Sequence, residues 1–248
     1  MAESWEQRVY ARYVSSGNLT ARPDPNLFFG PNQPYIEKVI REQFPTEKSA
    51  RVLELACGPA PFLYFLKQRG YSNLVGIDIS LEQVALAHAV GLEKEVMQGD
   101  MVAFLATAEF EYYDTIILFD ILEHFCRAEQ FNILDKVFAR LKPDGKCILH
   151  VPNAEGYCGT RVLYSDITHK SAFTRRSMEQ LLRTIGFEEI KCFEDKPIPH
   201  GLFSIIRRVI WEVVTIGQVI AIGAETGNIR RNGYILSQNL LVVAKKRS

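Results

Sequence analysis

The strongest constraint on this chain is a regular alternation of short apolar runs with helix-like stretches, which begins at Arg51. Arg51–Leu55 (RVLEL), Asn73–Ile77 (NLVGI) and Thr115–Phe119 (TIILF) have strand length, and the last is continuously apolar. Such a run belongs in the middle of a parallel sheet, buried on both faces. Between the runs, Phe62–Arg69 reads as a helix stopped by Gly70, and Ser80 opens another as its N-cap. Gln83, three residues on, completes a capping box. Glu95–Gln98 is a third strand, Met101–Ala106 a helix, and Phe131–Leu141 an amphipathic helix. Pro143-Asp144-Gly145 marks a turn before a strand at Lys146–Val151. Helix Arg176–Ile185 ends at Gly186 as its C′ residue. Strands near Glu188–Glu194 and Tyr234–Ala244 close the chain. The pattern predicts an α/β fold with a mostly parallel sheet and helices on both faces.

Upstream, a short helix around Glu6–Val14, a Pro- and Asn-rich loop (RPDPNLFFGPNQP) and a helix at about Tyr35–Phe44 read as an N-terminal helical cap over 1–50. The main domain is then 51–248. Two long inserts, Pro152–Ser171 and Lys196–Gly233, interrupt it, and inserts of that length in a compact domain usually carry function.

The 248 residues suit one large domain, and 29 basic against 29 acidic side chains leave no cationic surplus to displace counterions from nucleic acid. No nucleic-acid partner is therefore expected. Five scattered cysteines with no C-x-x-C pair suggest neither disulfides nor structural zinc, and free thiols fit a cytoplasmic setting. The first residues carry acids and no apolar core, unlike a secretory signal. Val209–Ala224 is apolar but short and interrupted by Glu212 and Gln218, so it is not expected to span a membrane.

The first strand runs into ELACGPAPF. Glu54 lies at its end, followed by Ala56, Gly58 and Ala60 on alternate positions. Small residues there let a backbone approach a ligand closely, and the next helix offers its N-terminus. The spacing is not the G-x-G-x-x-G that seats a dinucleotide pyrophosphate. Together with the absence of a Tyr-x-x-x-Lys pair, that disfavours the alternative of an NAD(P)-dependent oxidoreductase or epimerase. A carboxylate at Glu54 repels a pyrophosphate but welcomes an amine, which favours S-adenosylmethionine. Asp78, twenty-four residues on, can accept hydrogen bonds from ribose hydroxyls, with Ile79 beside it. Asp100 can receive the adenine amino group, and Met101 can pack on the ring. Phe119 ends the fourth strand at the same edge. Taken one by one, Asp78 is also readable as a helix-entry acid and Asp100 as an N-cap.

VLELACGPAPF, GIDIS, QGDM, YDTIILFDILEHF and LKPDGKCILHVPN resemble, in order, the motifs of class I S-adenosylmethionine-dependent methyltransferases. Ala56 and Ala60 depart from the glycines common there. The resemblance implies a Rossmann-like seven-stranded sheet with an antiparallel last strand. Downstream, TH-x-x-x-FT before an LL-x-x-x-GF helix is similar to methyltransferases of bacterial polysaccharide and glycan biosynthesis, and implies O-methylation of a sugar or glycan hydroxyl. A phenolic or quinone-like acceptor is the alternative.

For a base that takes the acceptor's proton, His124 after the fourth strand and His169 in the first insert stand out. Each also reads as a helix cap or a pin for the insert. His150, inside the fifth strand, reads as structural, and His88 lies away from the methyl. Asp120, Glu123 and His124 form D-x-x-E-H, which would share one helical face. A similar E-x-x-E-H in ubiquinone-biosynthesis O-methyltransferases is associated with a divalent cation. An acid-rich helix start is the preferred reading, and no metal is assigned. Tyr157, Arg161 and Tyr164 either bind a sugar or anchor the insert. Leu202, Ile205, Ile206, Val209, Val213, Ile216 and Ile220 recur at helical spacing. That stripe is expected to pack on the domain or on a second copy in a homodimer. The other reading is peripheral contact with a membrane surface over 202–222, at the inner membrane face, with Arg207, Arg208 and Trp211 at the interface.

Overall fold

The computed structural model describes residues 5–16, 29–227 and 233–247. Its centre is a seven-stranded sheet: β1 (Arg51–Leu55), β2 (Asn73–Asp78), β3 (Val96–Gln98), β4 (Tyr113–Phe119), β5 (Leu141–Pro152), β6 (Lys191–Glu194) and β7 (Asn239–Lys245). The spatial order is β3-β2-β1-β4-β5-β7-β6. The pairs among β1 to β5 are parallel, whereas β7 runs antiparallel to both β5 and β6. The order reverses beside β1, the place where open α/β sheets bind ligands beyond their carboxyl ends.

Strand alternation builds a core on each face of the sheet. Leu53, Leu55, Ile116, Leu118 and Leu149 point to one face, and pack with α6 (Met101–Thr107), α7 (Arg127–Arg140) and α9 (Arg175–Ile185). Val52, Ile117 and Ile148 point to the other. There they meet α3 (Gln33–Gln43), α4 (Pro61–Gln68) and α5 (Leu81–Ala89). Burying two such layers removes most large apolar side chains from water, the dominant favourable term in folding.

Several local readings need correction. The N-terminal helix is two short ones, α1 (Trp5–Tyr10) and α2 (Tyr13–Ser16). Residues 22–28 of the Pro-rich loop lie outside the described residues. Ser80 holds the N-cap position of α5, but its side chain makes no capping bond. The Ser80 N–H instead donates to Asp78 (2.8 Å), so the carboxylate two residues upstream organises the turn that Gln83 was expected to close. α7 starts at Arg127, because Glu129 accepts from the Cys126 N–H (2.7 Å) and fixes its first turn. The Pro143-Asp144-Gly145 turn bulges from within β5, between the pairs Tyr113–Leu141 and Thr115–Lys146, with Asp144 at φ +64°. β6 starts later than expected, at Lys191, and β7 at Asn239. In the stretch before β7, the Ile235 and Ser237 carbonyls are taken by the buried Asn153 amide (2.6 and 2.7 Å), which leaves them out of a ladder.

The first insert holds a short α8 (Gly159–Leu163) and the second a 25-residue α10 (Leu202–Thr226). The apolar stripe of α10 points away from the domain, so of the two packings expected for it the one on its own domain does not form: Leu202 is 71% exposed and Val213 64%. No helix among the described residues is long and apolar enough to cross a membrane.

Candidate active site

After β1 the backbone takes a left-handed conformation at every second residue, with φ of 49° at Ala56, 55° at Gly58 and 57° at Ala60. Two alanines carry a conformation that glycine adopts without cost. The Cys57 N–H donates to the Ile77 carbonyl (3.0 Å), tying this loop to the end of β2. The Gly58 N–H donates to Asp78 Oδ2 (2.7 Å) while Ser80 binds Oδ1. Asp78 is buried, which raises its pKa, and the two N–H donors work against that rise. Beside the loop, Glu54 is buried and one carboxyl oxygen has no partner among the described residues. Burial pushes its pKa up to about 8, with the Asp78 charge adding to the rise.

Asp100 caps α6 by accepting from the Ala103 N–H (2.7 Å). Met101 is buried in the core below, so its side chain backs the site, whereas Ile79 beside Asp78 stays half exposed. α2 straps across this edge. The Val14 and Ser15 N–H groups donate to Glu82 of α5 (2.9 and 3.1 Å), and the Tyr13 hydroxyl donates to Asp166 of the first insert (2.7 Å).

A second cluster stands at the tips of β4 and β5. His150, read as structural from the sequence, is buried in one wall of it. Its Nδ1 lies 2.5 Å from Asp120 and its Nε2 3.4 Å from Asp195. The ring stacks on Phe119 at 4.1 Å, and Tyr35 meets it edge-on. Burial alone would lower its pKa, but the Asp120 charge and hydrogen bond, helped by Asp195, raise it to about 10. His150 is therefore a cation clasped between two carboxylates. Asp120, at φ +52°, also opens into a cavity of about 730 Å³ walled by Tyr35, Phe119, Asp195, Arg207 and Trp211. His200 and Tyr157 line it too, while Tyr164 is exposed and anchors nothing.

His124 and His169 come together apart from that cavity's lining, ring centroids 4.7 Å apart. The Thr168 hydroxyl donates to Asp166 (2.5 Å), so its oxygen accepts from His124 Nδ1–H (2.7 Å). His169 Nδ1–H donates to the Val162 carbonyl (3.1 Å). His169 Nε2 lies 3.9 Å from Glu123 Oε1. Burial, then the charge of His169, lowers His124 to about 4. Glu123 is buried beside them and pushed up to about 8 by burial and by the charge of Asp120. One ligand atom from each of Glu123, His124 and His169 lies within 4.8 Å of the others, close enough to share a divalent cation. The helical face expected for D-x-x-E-H does not form. Leu122–His124 is a single 3-10 turn, and Asp120 leaves it for His150.

Residues 31–191 match a protein family described as a methyltransferase domain. The chain belongs to this methyltransferase family. Among curated proteins, none matches by sequence. Solved structures match by fold. A SAM-dependent methyltransferase from Archaeoglobus fulgidus is 21% identical with a TM-score of 0.62, covering 86% of this chain and 94% of that one. A Thermotoga maritima SAM-dependent methyltransferase, described as a possible histamine N-methyltransferase, is 15% identical (TM-score 0.63; 97% and 99% covered). Phosphoethanolamine N-methyltransferase 2 from Haemonchus contortus, in complex with S-adenosyl-L-methionine, is 15% identical (TM-score 0.64; 96% and 60% covered).

The protein is thus a methyltransferase that uses S-adenosylmethionine, and the oxidoreductase alternative falls. The loop fits that donor. A left-handed backbone free of bulky side chains faces it, and the orphaned oxygen of Glu54 suits an ammonium. What sequence reasoning missed is the Asp120–His150–Asp195 set. Alternation along β5 puts His150 on the same face as Ile148, and Ile148 pairs with Ile117 of β4, two residues before Phe119, which itself pairs with His150. That was the available signal.

Proposed function

We propose that this methyltransferase methylates a hydroxyl of a sugar or glycan intermediate held in the cavity at the tips of β4 and β5. The observation that carries the proposal is the Asp120 carboxylate, fixed by a protonated His150 and open to that cavity. Aromatic walls with polar groups between them (Tyr35 and Trp211 with Asp195, Gln238 and Asn239) suit the apolar faces and hydroxyl edges of a sugar. The same aromatic walls would accept a phenolic ring, which keeps a phenolic or quinone-like acceptor as the second reading.

When bound, S-adenosylmethionine supplies an electrophilic methyl on a sulfonium, and the chain's part is alignment and proton removal. Glu54 would meet the ammonium, Ala56 and Gly58 the methionine backbone, and Asp78 the ribose hydroxyls. Asp100 would meet the adenine amine, with Ile79 on the ring and Met101 behind it. Phe119 would separate donor from acceptor. Asp120 then accepts the acceptor's proton at a carboxylate oxygen while His150 holds the other oxygen in place. His124 and His169, paired ring to ring, form the competing base.

Asp120→Asn should lower single-turnover methylation about 10²–10⁴-fold, as for loss of a general base, with S-adenosylhomocysteine affinity unchanged. Full activity in that variant, with loss in His124→Ala or His169→Ala, would move the base to the histidine pair. A screen of sugars, phenols and amines, read by mass spectrometry, should give methyl ethers of sugars. Products from phenols alone would support the second reading.

A further inference from the structure

α10 is built inside out. The side turned to the domain carries Ser204, Thr215, Val219 and Gly223, all buried, and the ion pair of Arg208 with Glu212 (2.9 Å). The Arg208 guanidinium also donates to the Pro197 carbonyl (3.2 Å). The opposite side is apolar from Leu202 to Ala224, with no charged residue inside the stripe, and Arg207 and Glu225 stand only at its margin. Leu202, Phe203, Val213 and Ile220 are each at least 60% exposed. At a rise of about 1.5 Å per residue the stripe is about 33 Å long. An apolar face this continuous is far beyond the scattered exposed side chains of an ordinary surface.

Two observations say what covers it. The first is charge. In sequence, 196–233 holds five basic residues (Lys196, Arg207, Arg208, Arg230 and Arg231) against two acidic ones (Glu212 and Glu225), in a chain whose overall charge is zero; Lys196 pairs with Glu194 (3.0 Å) and Arg208 with Glu212 (2.9 Å). Arg207 has no partner among the described residues, and Arg230 and Arg231 follow directly on the helix in sequence. Basic residues beside an apolar stripe match an anionic lipid surface. The second is continuity. Ile210 and Val214 belong to the exposed flank of α10 and also line the cavity, together with Arg207. Whatever covers the stripe therefore reaches the cavity mouth.

We propose that the outer face of α10 docks the enzyme on an anionic lipid surface and sets the cavity mouth at the interface. Of the two arginines assigned to headgroups from sequence, only Arg207 serves there, because Arg208 is turned inward. Given the acceptor reading above, the acceptor is then an amphiphile. Its polar head reaches Asp120 while its apolar part leaves along Ile210 and Val214.

The test is flotation of the full chain with phosphatidylcholine vesicles, with and without phosphatidylglycerol. Sedimentation velocity without lipid and S-adenosylhomocysteine titration run alongside. The protein should float with the anionic vesicles and much less with the neutral ones. Ile206→Glu and Val213→Glu, which lie outside the cavity lining, should each cut partition about tenfold or more, the worth of one buried aliphatic side chain. Their cofactor affinity should not change. Equal binding to both vesicle types, or none to either, overturns the proposal. So does a lipid-free homodimer that Val213→Glu splits, since a second copy would then be the occupant. None of these readouts involves the acceptor, so failure here leaves the hydroxyl assignment to its own test.

Discussion

Asp78 shows how much one carboxylate can organise. It holds the Gly58 N–H and the Ser80 N–H at once, and so joins the loop after β1 to the turn after β2. Its remaining lone pairs are what a ribose would use. Asp78→Ala should weaken S-adenosylmethionine binding by one to two decades, since a charge-assisted hydrogen bond is worth about 1.5–3 kcal/mol. Calorimetric titration measures it, and an unchanged affinity would place the ribose elsewhere. The placement of Glu54, Asp78 and Asp100 at the carboxyl edge of the sheet was legible in the sequence because each sits at or just past the end of a strand. Asp120 and His150 were not. What gives His150 its charge is Asp120, 30 residues before it, and Asp195, 45 residues after, and no spacing rule joins the three.

At the scale of elements, the alternation of strands and helices carried the sheet, because each buried strand needs a continuous apolar run. The inserts were harder. A period of 3.6 identifies the stripe of α10 but does not say what it faces, and here the inner side is a narrow one of Ser204, Thr215, Val219 and Gly223. The first insert is pinned by close approach rather than by apolar contact. A Cβ on Gly159 would lie 1.8 Å from the Asn153 carbonyl oxygen, beside the amide that holds the stretch before β7. Gly159→Ala should therefore cost about 1–3 kcal/mol, as overpacking does, and lower the denaturation midpoint. Gly217→Ala on α10 meets nothing within 4 Å. It should gain about 0.5–1 kcal/mol from helix propensity. If both variants melt alike, the insert does not dock as described.

For the whole molecule, three buried groups bend stability in the same direction with pH. Glu54 and Glu123 are raised from 4.5 to about 8, and His150 from 6.5 to about 10. Each binds its proton more tightly folded than unfolded, so each contribution is lost as pH rises, from about 4.5 to 8 for the carboxyls and 6.5 to 10 for the histidine. His124, lowered from 6.5 to about 4, opposes this only on the acid side. The urea midpoint should fall between about pH 7 and about pH 10. His150→Gln should have a lower midpoint at neutral pH and a flatter alkaline limb. A midpoint that climbs with pH would mean His150 is not clasped between Asp120 and Asp195.

The lone oxygen of Glu54 has a consequence for how the enzyme is loaded. With its pKa near 8, that carboxyl is a neutral acid at neutral pH. Capture of the donor's ammonium there, as proposed above, would be an exchange, one cation in and one hydron out to the buffer, so the heat of binding would carry the buffer's own ionisation enthalpy. The spent donor keeps the same ammonium after the sulfonium charge is gone. Glu54 would then discharge once at loading and stay ionised through chemistry, leaving the acceptor's hydron as the only one shed during transfer itself.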